Sequence, residues 1–437
     1  MIASEFKNRR ELLMNQVGKG NIAIIASADT RTRNRDVDYP FRQDSDFYYL
    51  TGFNEADALA VFIPGREQGQ YILFCQEFDE KKALWEGAHA GLEGATHEYG
   101  ADDSFPIDDL GDILPGLLEN RNKVFYPMGR DPDLDHHLME WITHIRSQTR
   151  SGINAPGELV SLEHTLHEMR LIKSEEEIRL MQQAADVSAK AHIRAMRTCK
   201  AGRYEYQIEG EMVHEFIDNG LRAVAYPSIV AGGENACILH YTENKAQLND
   251  GDLLLIDAGA ECDHYAADIT RTFPVNGKFS TEQKLLYQLV LDTQLAAIAE
   301  VKPNAPWNNA HDVSVKVLTS GLVELGLLNG DVEKLIEDEA YKVFYMHRIG
   351  HWLGMDVHDV GDYKINDEWR VLEPGMVLTI EPGLYIPQDC ASVDKKWRGI
   401  GIRIEDDVLV TEQGYEILTL AVPKTIADIE ALMQKRT

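Results

Sequence analysis

The chain has 437 residues, 44% of them hydrophobic and 26% charged, a size that predicts two globular domains. Its 43 basic and 72 acidic residues give a formal net charge of −29, which argues against nucleic acids and anionic membrane surfaces as partners. No apolar run approaches the length of a transmembrane helix, so we expect no membrane association.

The cysteines and the N-terminus indicate a cytoplasmic protein. The five cysteines are an odd number without CxxC spacing, which is typical of a reducing compartment rather than of a disulfide framework or a structural zinc site. The first 17 residues have no continuous apolar stretch behind their basic residues. They predict an amphipathic helix instead of a signal peptide.

The N-terminal part shows an α/β pattern without a phosphate-binding glycine loop. Apolar runs predict strands at 21–28, 47–53, 59–65 and 71–75, and helices are predicted near 79–90 and 133–149. Ser174 and Glu177 then form a capping-box pattern at the start of a long amphipathic helix. We therefore predict one domain over 1–172 and a second over 173–437.

The C-terminal part predicts an α+β domain with a largely antiparallel sheet, because its helices and strands do not alternate strictly. The predicted helices are 175–198, 204–219, 281–301 and 311–326, and the predicted strands are 252–260, 265–273, 376–386 and 401–411.

Two acids interrupt neighbouring apolar strands of this domain. If the strands form a hairpin centred between Cys262 and Asp263, Asp257 and Asp268 lie directly opposite each other. Two carboxylates so placed need a shared proton or a cation. The pair therefore predicts a cation site.

Two further acids occupy similar positions. Glu381 ends the apolar run VLTI, and Glu405 follows Ile404, with Arg403 two positions earlier on the same predicted strand face. A single such acid is more often an edge residue, and Arg403 alone could be a surface arginine. Four acids within apolar strands of one domain indicate a shared site, because buried acids are rare unless they are paired.

Three histidines follow within twelve positions, at His347, His351 and His358. Arg348 stands where the zinc motif HExxH has glutamate, and two glycines nearby disfavour a helix. A lone histidine is usually a surface or core residue, but this cluster favours a site. His240 is a further candidate, with a strand-end histidine as the alternative.

The donor set favours hard divalent cations. Four carboxylates and one imidazole suit Mn²⁺ better than a thiolate-rich zinc site, with Zn²⁺ or Co²⁺ as alternatives. Bridging carboxylates typically hold two cations about 3.5–4 Å apart. We therefore predict two divalent cations.

Seven stretches of the chain together resemble the pita-bread metallopeptidases, the creatinase and methionine aminopeptidase group, and within it the aminopeptidase P family. These stretches are 41–53, 169–178, 225–241, 257–275, 351–361, 372–386 and 398–411. The resemblance implies an α+β catalytic domain of the pita-bread fold, preceded by a smaller α/β N-terminal domain.

The resemblance also implies a role for each candidate residue. Asp257 would bind one cation and His351 and Glu381 the other, while Asp268 and Glu405 would bind both. His240, His347 and His358 would line the substrate side, and Arg403, with Tyr385, would support the ligands. The chain departs from the family around Arg348, which affects the pocket near His347. Trp85 would reach a neighbouring subunit of a dimer or tetramer, with a core tryptophan as the alternative.

The implied activity is release of the N-terminal residue from peptides with proline in second position. The hypothesis is attack by a metal-bridging hydroxide on the Xaa-Pro bond, with Glu381 carrying the proton to the prolyl nitrogen. His240 or His358 would hydrogen-bond the tetrahedral intermediate. The alternatives are a prolidase that cleaves only Xaa-Pro dipeptides, a non-catalytic peptide-binding protein, and a creatinase-like amidine hydrolase.

Overall fold

A computed structural model describes residues 1–435 and divides the chain into two compact units, Met1–Met169 and a second unit that begins at Arg170. The domain boundary that we predict from sequence lies between residues 172 and 173, three residues after this division. It stays a prediction. Within residues 1–435, no helix has the length and apolar character needed to cross a membrane.

The first unit is built on a six-stranded mixed sheet, with a separate hairpin formed by its second and third strands. Its helices are α1 (Ala3–Val17), α2 (Ser45–Thr51), α3 (Glu80–Glu86), α4 (Gly91–His97), α5 (Leu110–Leu118), α6 (Pro132–Ser147) and α7 (Leu162–Leu171), the last of which contains the division. Its strands are β1 (Ile22–Ala26), β2 (Thr32–Asn34), β3 (Val37–Asp38), β4 (Leu59–Phe62), β5 (Tyr71–Cys75), β6 (Asp103–Pro106), β7 (Lys123–Tyr126) and β8 (Glu158–Ser161). The sheet order is β6-β5-β4-β1-β7-β8, and one hydrophobic core joins it to α5 and α6.

One predicted strand of this unit is wrong, because residues 47–53 contribute to helix α2. The Asp44 side chain accepts a hydrogen bond from the Phe47 amide and so caps the helix. Gly52 ends it in the left-handed conformation, with φ of +67°. Every residue of α2 is buried, so its apolar run lacks the polar face that distinguishes a helix from a strand in the sequence.

Trp85 lies on α3 and is 87% exposed, so the alternative of a core tryptophan is wrong.

The second unit is α+β, and its strand pairings within residues 170–435 are all antiparallel, as predicted. Its further helices are α8 (Glu175–Thr198), α9 (Glu205–Asp218), α10 (Thr281–Ile298), α11 (Asn308–Glu324), α12 (Val332–Glu337) and α13 (Ile426–Gln434). Its strands are β9 (Ala223–Val224), β10 (Ile229–Gly232), β11 (Leu253–Asp257), β12 (Ala260–Cys262), β13 (Tyr265–Ala266), β14 (Thr270–Pro274), β15 (Lys364–Ile365), β16 (Glu368–Trp369), β17 (Val377–Ile380), β18 (Gly383–Ile386), β19 (Ile400–Arg403), β20 (Asp406–Thr411) and β21 (Gly414–Ile417).

Helix α8 begins where the capping-box pattern predicts. The Ser174 Oγ accepts from the Glu177 amide at 3.3 Å, and the Glu177 Oε2 accepts from the Ser174 amide at 2.9 Å. The second oxygen of this buried Glu177 carboxylate accepts from the Tyr265 hydroxyl at 2.8 Å. The cap therefore also fixes α8 against β13.

The predicted register of the Asp257 hairpin is wrong. Asp257 pairs with Thr270, not with Asp268, and the turn lies at Asp263 and His264, one residue later than expected. Both turn residues have positive φ, +48° and +71°, a conformation that Asn-Gly and Asp-Gly pairs usually signal. Because His264 stands where such a pair has glycine, the sequence did not reveal the turn, and Asp268 falls in the irregular segment between β13 and β14.

Candidate metal centre

A cavity of about 560 Å³ in the second unit brings all the sequence-predicted site residues together. Its lining includes Asp257, Asp268, His351, Glu381 and Glu405, together with His240, His347, His358 and Arg403. Apolar side chains complete the wall, among them Ile229, Leu239 and Val357. The cavity therefore combines acidic, basic and apolar surfaces.

The acids lie where the chain leaves one strand for the next. Asp257 is the last residue of β11, Asp268 lies between β13 and β14, Glu381 between β17 and β18, and Glu405 between β19 and β20. The ends of antiparallel strands from different sheets thus deliver four carboxylates to one cavity. This arrangement explains why each acid follows or interrupts an apolar run in the sequence.

The segment carrying His351 runs beside β17. The Thr379 amide donates to the His351 carbonyl at 2.9 Å, and the Glu381 amide donates to the Ile349 carbonyl at 2.7 Å. A Cβ at Gly350 would lie 1.9 Å from the Thr379 carbonyl oxygen, so no side chain fits there. This close approach places the His351 ring beside Glu381. The segment that contains Gly350 is not helical, as predicted.

Asp268, His351 and Glu405 form a close group of potential metal ligands. Each offers one ligand atom, and these atoms lie within 4.8 Å of one another. The His351 Nδ1 donates to the Trp352 carbonyl at 2.9 Å, so Nε2 is the nitrogen that could bind a metal. That Nε2 lies 3.5 Å from Asp268 Oδ2 and 3.7 Å from Glu381 Oε1.

The electrostatics of the cavity suit a cation. Burial raises the pKa of Asp257 and Glu381, the latter to about 7, and raises the pKa of Glu405 far above its usual range. Burial alone would lower the pKa of His351, but the Asp268 hydrogen bond and the Glu381 charge raise it to about 9. Three buried carboxylates and the partly buried Glu381 surround one imidazole, and bound cations would neutralise their negative charge, so the residues fit a metal centre.

Tyr226 is a site residue that sequence reasoning missed. Its hydroxyl oxygen lies 2.6 Å from Asp257 Oδ1 and 2.5 Å from Asp268 Oδ1. A phenol has one proton, so the hydroxyl donates to one of these oxygens at a time. Tyr226 precedes β10, and β10 pairs with β11 so that Ile229 faces Asp257. This register brings the tyrosine next to the acids.

Arg403 begins a hydrogen-bond chain that leads from Asp257 to His347. Its Nη2 donates to Asp257 Oδ2 at 2.6 Å, and its Nη1 donates to the Tyr385 hydroxyl at 3.1 Å. The Tyr385 hydroxyl in turn lies 2.9 Å from the His347 Nε2, and the His347 Nδ1 donates to the Arg348 carbonyl at 2.8 Å. These partners fix the His347 tautomer with its proton on Nδ1, so Tyr385 donates to Nε2.

Arg403 is 4% exposed and is therefore not a surface arginine. Its side chain hydrogen-bonds Asp257 rather than Glu405, and Glu405 lies beyond the end of β19 instead of on a shared strand face. The Arg348 side chain, by contrast, contacts Asn308 and lies 4.9 Å from the centre of the Trp369 ring.

The two remaining histidines lie on the cavity wall. The His358 ring packs edge-on against the His351 ring, with their centres 4.3 Å apart. Burial and the neighbouring His351 lower the pKa of His358. His240 lines the same cavity and is exposed, on the segment that follows β10. Both rings can therefore hydrogen-bond a molecule in the cavity.

Comparison with known proteins identifies the family. Residues 179–412, which contain all the acids and histidines that line the cavity, match the family model of metallopeptidase family M24. The chain belongs to metallopeptidase family M24. It is thus a hydrolase, and residues 6–126 of this M24 peptidase also match the model described as the aminopeptidase P N-terminal domain.

Relatives of the M24 peptidase match it along almost its whole length. A protein named Xaa-Pro aminopeptidase from Haemophilus influenzae is 47% identical, over 98% of this chain and 97% of its own. The solved aminopeptidase PepP of Pseudomonas aeruginosa is 58% identical with a TM-score of 0.98, over 99% of this chain and 98% of its own. The resemblance to the aminopeptidase P family, with its two-domain architecture, is therefore confirmed, and prolidase is not favoured.

Proposed function

We propose that this M24 peptidase is a Xaa-Pro aminopeptidase, which releases the N-terminal residue from peptides with proline in second position. The observation that carries the proposal is the convergence of three buried carboxylates, the partly buried Glu381 and His351 in one cavity. The relatives named above support the proline specificity, because the Haemophilus influenzae protein carries the name Xaa-Pro aminopeptidase.

Five residues would hold two divalent cations in this proposal. Asp257 would bind one cation, and His351 with Glu381 the other, while Asp268 and Glu405 would contact both. The oxygen-rich donor set favours Mn²⁺. A solved structure described as zinc-substituted Escherichia coli aminopeptidase P, 43% identical with a TM-score of 0.97, is consistent with Zn²⁺ as an alternative.

The bound cations would supply an activated water and positive charge for the developing oxyanion. The chain's own residues orient the reactants. Arg403 holds Asp257 through one carboxylate oxygen and leaves the other towards the cavity. Glu381 lies between His351 and His347, with its Oε2 3.9 Å from the His347 Nδ1, and is the candidate to carry a proton to the prolyl nitrogen.

The histidines would form the substrate side of the cavity. His347 is held in one tautomer by Tyr385 and the Arg348 carbonyl, so it presents a fixed ring to a bound peptide. His240 and His358 would hydrogen-bond the substrate carbonyl and the tetrahedral intermediate. The apolar wall near Leu239 and Val357 would accommodate the proline ring.

We also propose a homo-oligomer, a dimer or tetramer, in the cytoplasm. Leu84 and Trp85 on α3 are 84% and 87% exposed, an arrangement that favours contact with another subunit. The odd number of cysteines and the absence of CxxC spacing in the sequence support the reducing compartment.

A comparison of three peptides tests the activity. Protein loaded with Mn²⁺ is incubated with a Xaa-Pro dipeptide, a Xaa-Pro-Xaa tripeptide and a Xaa-Ala-Xaa control. We expect cleavage of the tripeptide before proline and none of the control. Cleavage of the dipeptide alone would indicate a prolidase. No cleavage of any peptide by metal-loaded protein would favour a non-catalytic peptide-binding protein.

A further inference from the structure

The Glu205 carboxylate is a fully buried acceptor with four hydrogen-bond donors around it. Glu205 is the first residue of α9. Its Oε1 accepts from the Gly232 amide at 2.8 Å and from the Asn235 side-chain amide at 3.0 Å. Its Oε2 accepts from the Tyr241 hydroxyl at 2.8 Å and from the Ala246 amide at 2.8 Å.

All four donors belong to the segment 232–246, which carries His240. Regular structure in this segment is limited to the end of β10 and a short 3₁₀ turn at Gly233–Cys237. The segment therefore folds around the Glu205 carboxylate, and Tyr241, the residue directly after His240, is one of its anchors. Burial and the adjacent Glu205 raise the pKa of Tyr241 to about 12, so its hydroxyl keeps the proton that it donates.

A second side chain fastens the same segment to β10. The Asn244 Oδ1 accepts from the Val230 amide at 3.0 Å, and its Nδ2 donates to the Ser228 carbonyl at 2.8 Å. The segment is thus held at both ends and at its centre. These contacts hold the backbone on both sides of His240, although the residue itself is exposed and lines the cavity.

We propose that Glu205 is a positioning residue for His240. Its carboxylate holds the 232–246 segment so that the imidazole faces the peptide. The inference rests on the proposed function, because it assigns His240 to the substrate side of the cavity. Glu205 acts through the segment and does not itself line the cavity, nor is it a proposed metal ligand.

Only a group that accepts at both oxygens satisfies this arrangement. All four partners are donors, so a glutamine at position 205 would turn its NH₂ towards two of them. In either orientation the NH₂ faces a backbone amide, of Gly232 or of Ala246. A buried backbone amide cannot rotate away and would lose its partner. Glu205→Gln therefore perturbs the 232–246 segment, although glutamine and glutamate side chains have nearly the same shape.

The test compares Glu205→Gln with the parent in the Mn²⁺-loaded, full-length protein. We expect kcat for a Xaa-Pro-Xaa tripeptide to fall about 10–100-fold, the range typical of residues that orient site groups. Metal content per chain should stay unchanged, because the proposed ligands lie outside 232–246. The matched control is Glu209→Gln on the same helix. Its carboxylate accepts from Asn244 Nδ2 at 3.0 Å, a bond that a glutamine oxygen can keep.

A double-mutant comparison separates positioning from general damage. If Glu205 acts through His240, adding Glu205→Gln to His240→Ala should lower kcat by no more than about twofold. Losses that multiply would overturn the proposal, as would a Glu205→Gln protein with the kinetics of the parent. A parent that does not cleave Xaa-Pro peptides would instead refute the proposed function.

Two further measurements apply if Glu205→Gln does not fold or His240→Ala is inactive. Tyr241→Phe removes one of the four donors and should lower kcat by a smaller factor than Glu205→Gln does. This loss should occur in protein that retains His240 and not in the His240→Ala variant. In metal-free protein with labelled histidines, the His240 ring signal should shift in Glu205→Gln or Tyr241→Phe and stay in place in Glu209→Gln. An unshifted His240 signal in both of the first two variants would overturn the proposal.

Discussion

The Arg403 guanidinium and the Asp257 carboxylate form a buried ion pair in which Nη2 lies 2.6 Å from Oδ2. Arg403 thereby occupies one oxygen of Asp257, while the other lies beside the Tyr226 hydroxyl at the cavity. Burial raises the pKa of Asp257 and the arginine opposes that rise. The pair thus determines which oxygen of Asp257 is available to a cation.

Arg403→Lys should weaken metal binding and catalysis together. The Arg403 guanidinium also donates to Thr270 and Tyr385, and a lysine ammonium cannot reproduce this planar set of contacts. We expect metal affinity and kcat each to fall about 10–100-fold. Arg398→Lys is the control, because that side chain donates to the Val393 carbonyl, which is not part of the cavity lining. Unchanged Mn²⁺ affinity in Arg403→Lys would contradict the assigned role.

Asp268→Ala and Glu405→Ala should each remove a shared ligand. Metal that binds the folded protein at about 100 times its Kd stabilises it by roughly 2.7 kcal/mol. The parent should therefore melt at a higher temperature with Mn²⁺, and both variants should lose this rise along with hydrolysis. Glu412→Ala, at an exposed acid just after β20, should behave like the parent. A full Mn²⁺-dependent rise in Glu405→Ala would argue against shared ligation.

Tyr226→Phe should destabilise the metal-free protein more than the metal-loaded one. Without metal, the hydroxyl supplies a proton donor between the carboxylates of Asp257 and Asp268. We expect the free energy of unfolding to fall by about 1–2 kcal/mol after chelation. Tyr206→Phe, at a half-exposed tyrosine, is the control. Equal losses with and without Mn²⁺, measured by urea unfolding, would argue against this bridging role.

Asp359→Ala should strongly destabilise the second unit. Its buried carboxylate accepts from Arg170 at 2.6 Å and from Lys173 at 2.9 Å. Burial would raise the pKa of Asp359, but these two cations lower it. Removing the acid leaves two buried cations without it, which costs about 3–5 kcal/mol in comparable cases. Glu176→Gln, in an exposed pair, should cause no measurable change in urea unfolding, and a similarly small effect for Asp359→Ala would contradict the expectation.

Acidification should destabilise the protein through His192. Burial lowers its pKa to about 4, while its Nε2 donates to the Ala258 carbonyl at 3.0 Å. The unfolded chain, with a pKa near 6.5, binds more protons than the folded one between about pH 6.5 and 4. The contribution of His192 to the free energy of unfolding is therefore complete above pH 6.5. It is lost on acidification, by about 2 kcal/mol at pH 5.

Urea unfolding at pH 7.5 and pH 5 measures this loss. His192→Gln can keep the hydrogen bond to Ala258 without a titrating group, so its stability should depend less on pH. An identical pH dependence in the parent and the variant would show that His192 is not responsible.

Sequence motifs predicted those features of the fold that depend on contacts between residues close together in the chain. The Ser174 and Glu177 capping box gave the start of α8, because both partners lie within one turn. Prediction from neighbouring residues failed at Asp263 and His264, because the conformation of this turn depends on the strands that it joins. A register read from an assumed turn was therefore wrong for Asp257 and Asp268, although the cavity still brings the two acids together.

Contacts between distant elements were beyond the sequence. Tyr226 reaches Asp257 and Asp268 across 31 and 42 positions, and no spacing rule connects them. Glu205 is equally inconspicuous, since a glutamate at the start of a helix is common on protein surfaces. Only its four donors, which come from a segment 27–41 positions later, reveal its role. That the four acids share one cavity was predictable, because acids that follow or interrupt apolar runs are unusual.

The most direct test of the two-metal account is the number of Mn²⁺ ions bound per chain. Chelator-treated protein is titrated with Mn²⁺, and bound metal is measured by elemental analysis beside cleavage of a Xaa-Pro-Xaa tripeptide. The account predicts two ions per chain at saturation, with hydrolysis absent before metal is added and restored as the sites fill. Full hydrolysis by metal-free protein, or saturation at one ion per chain, would contradict it.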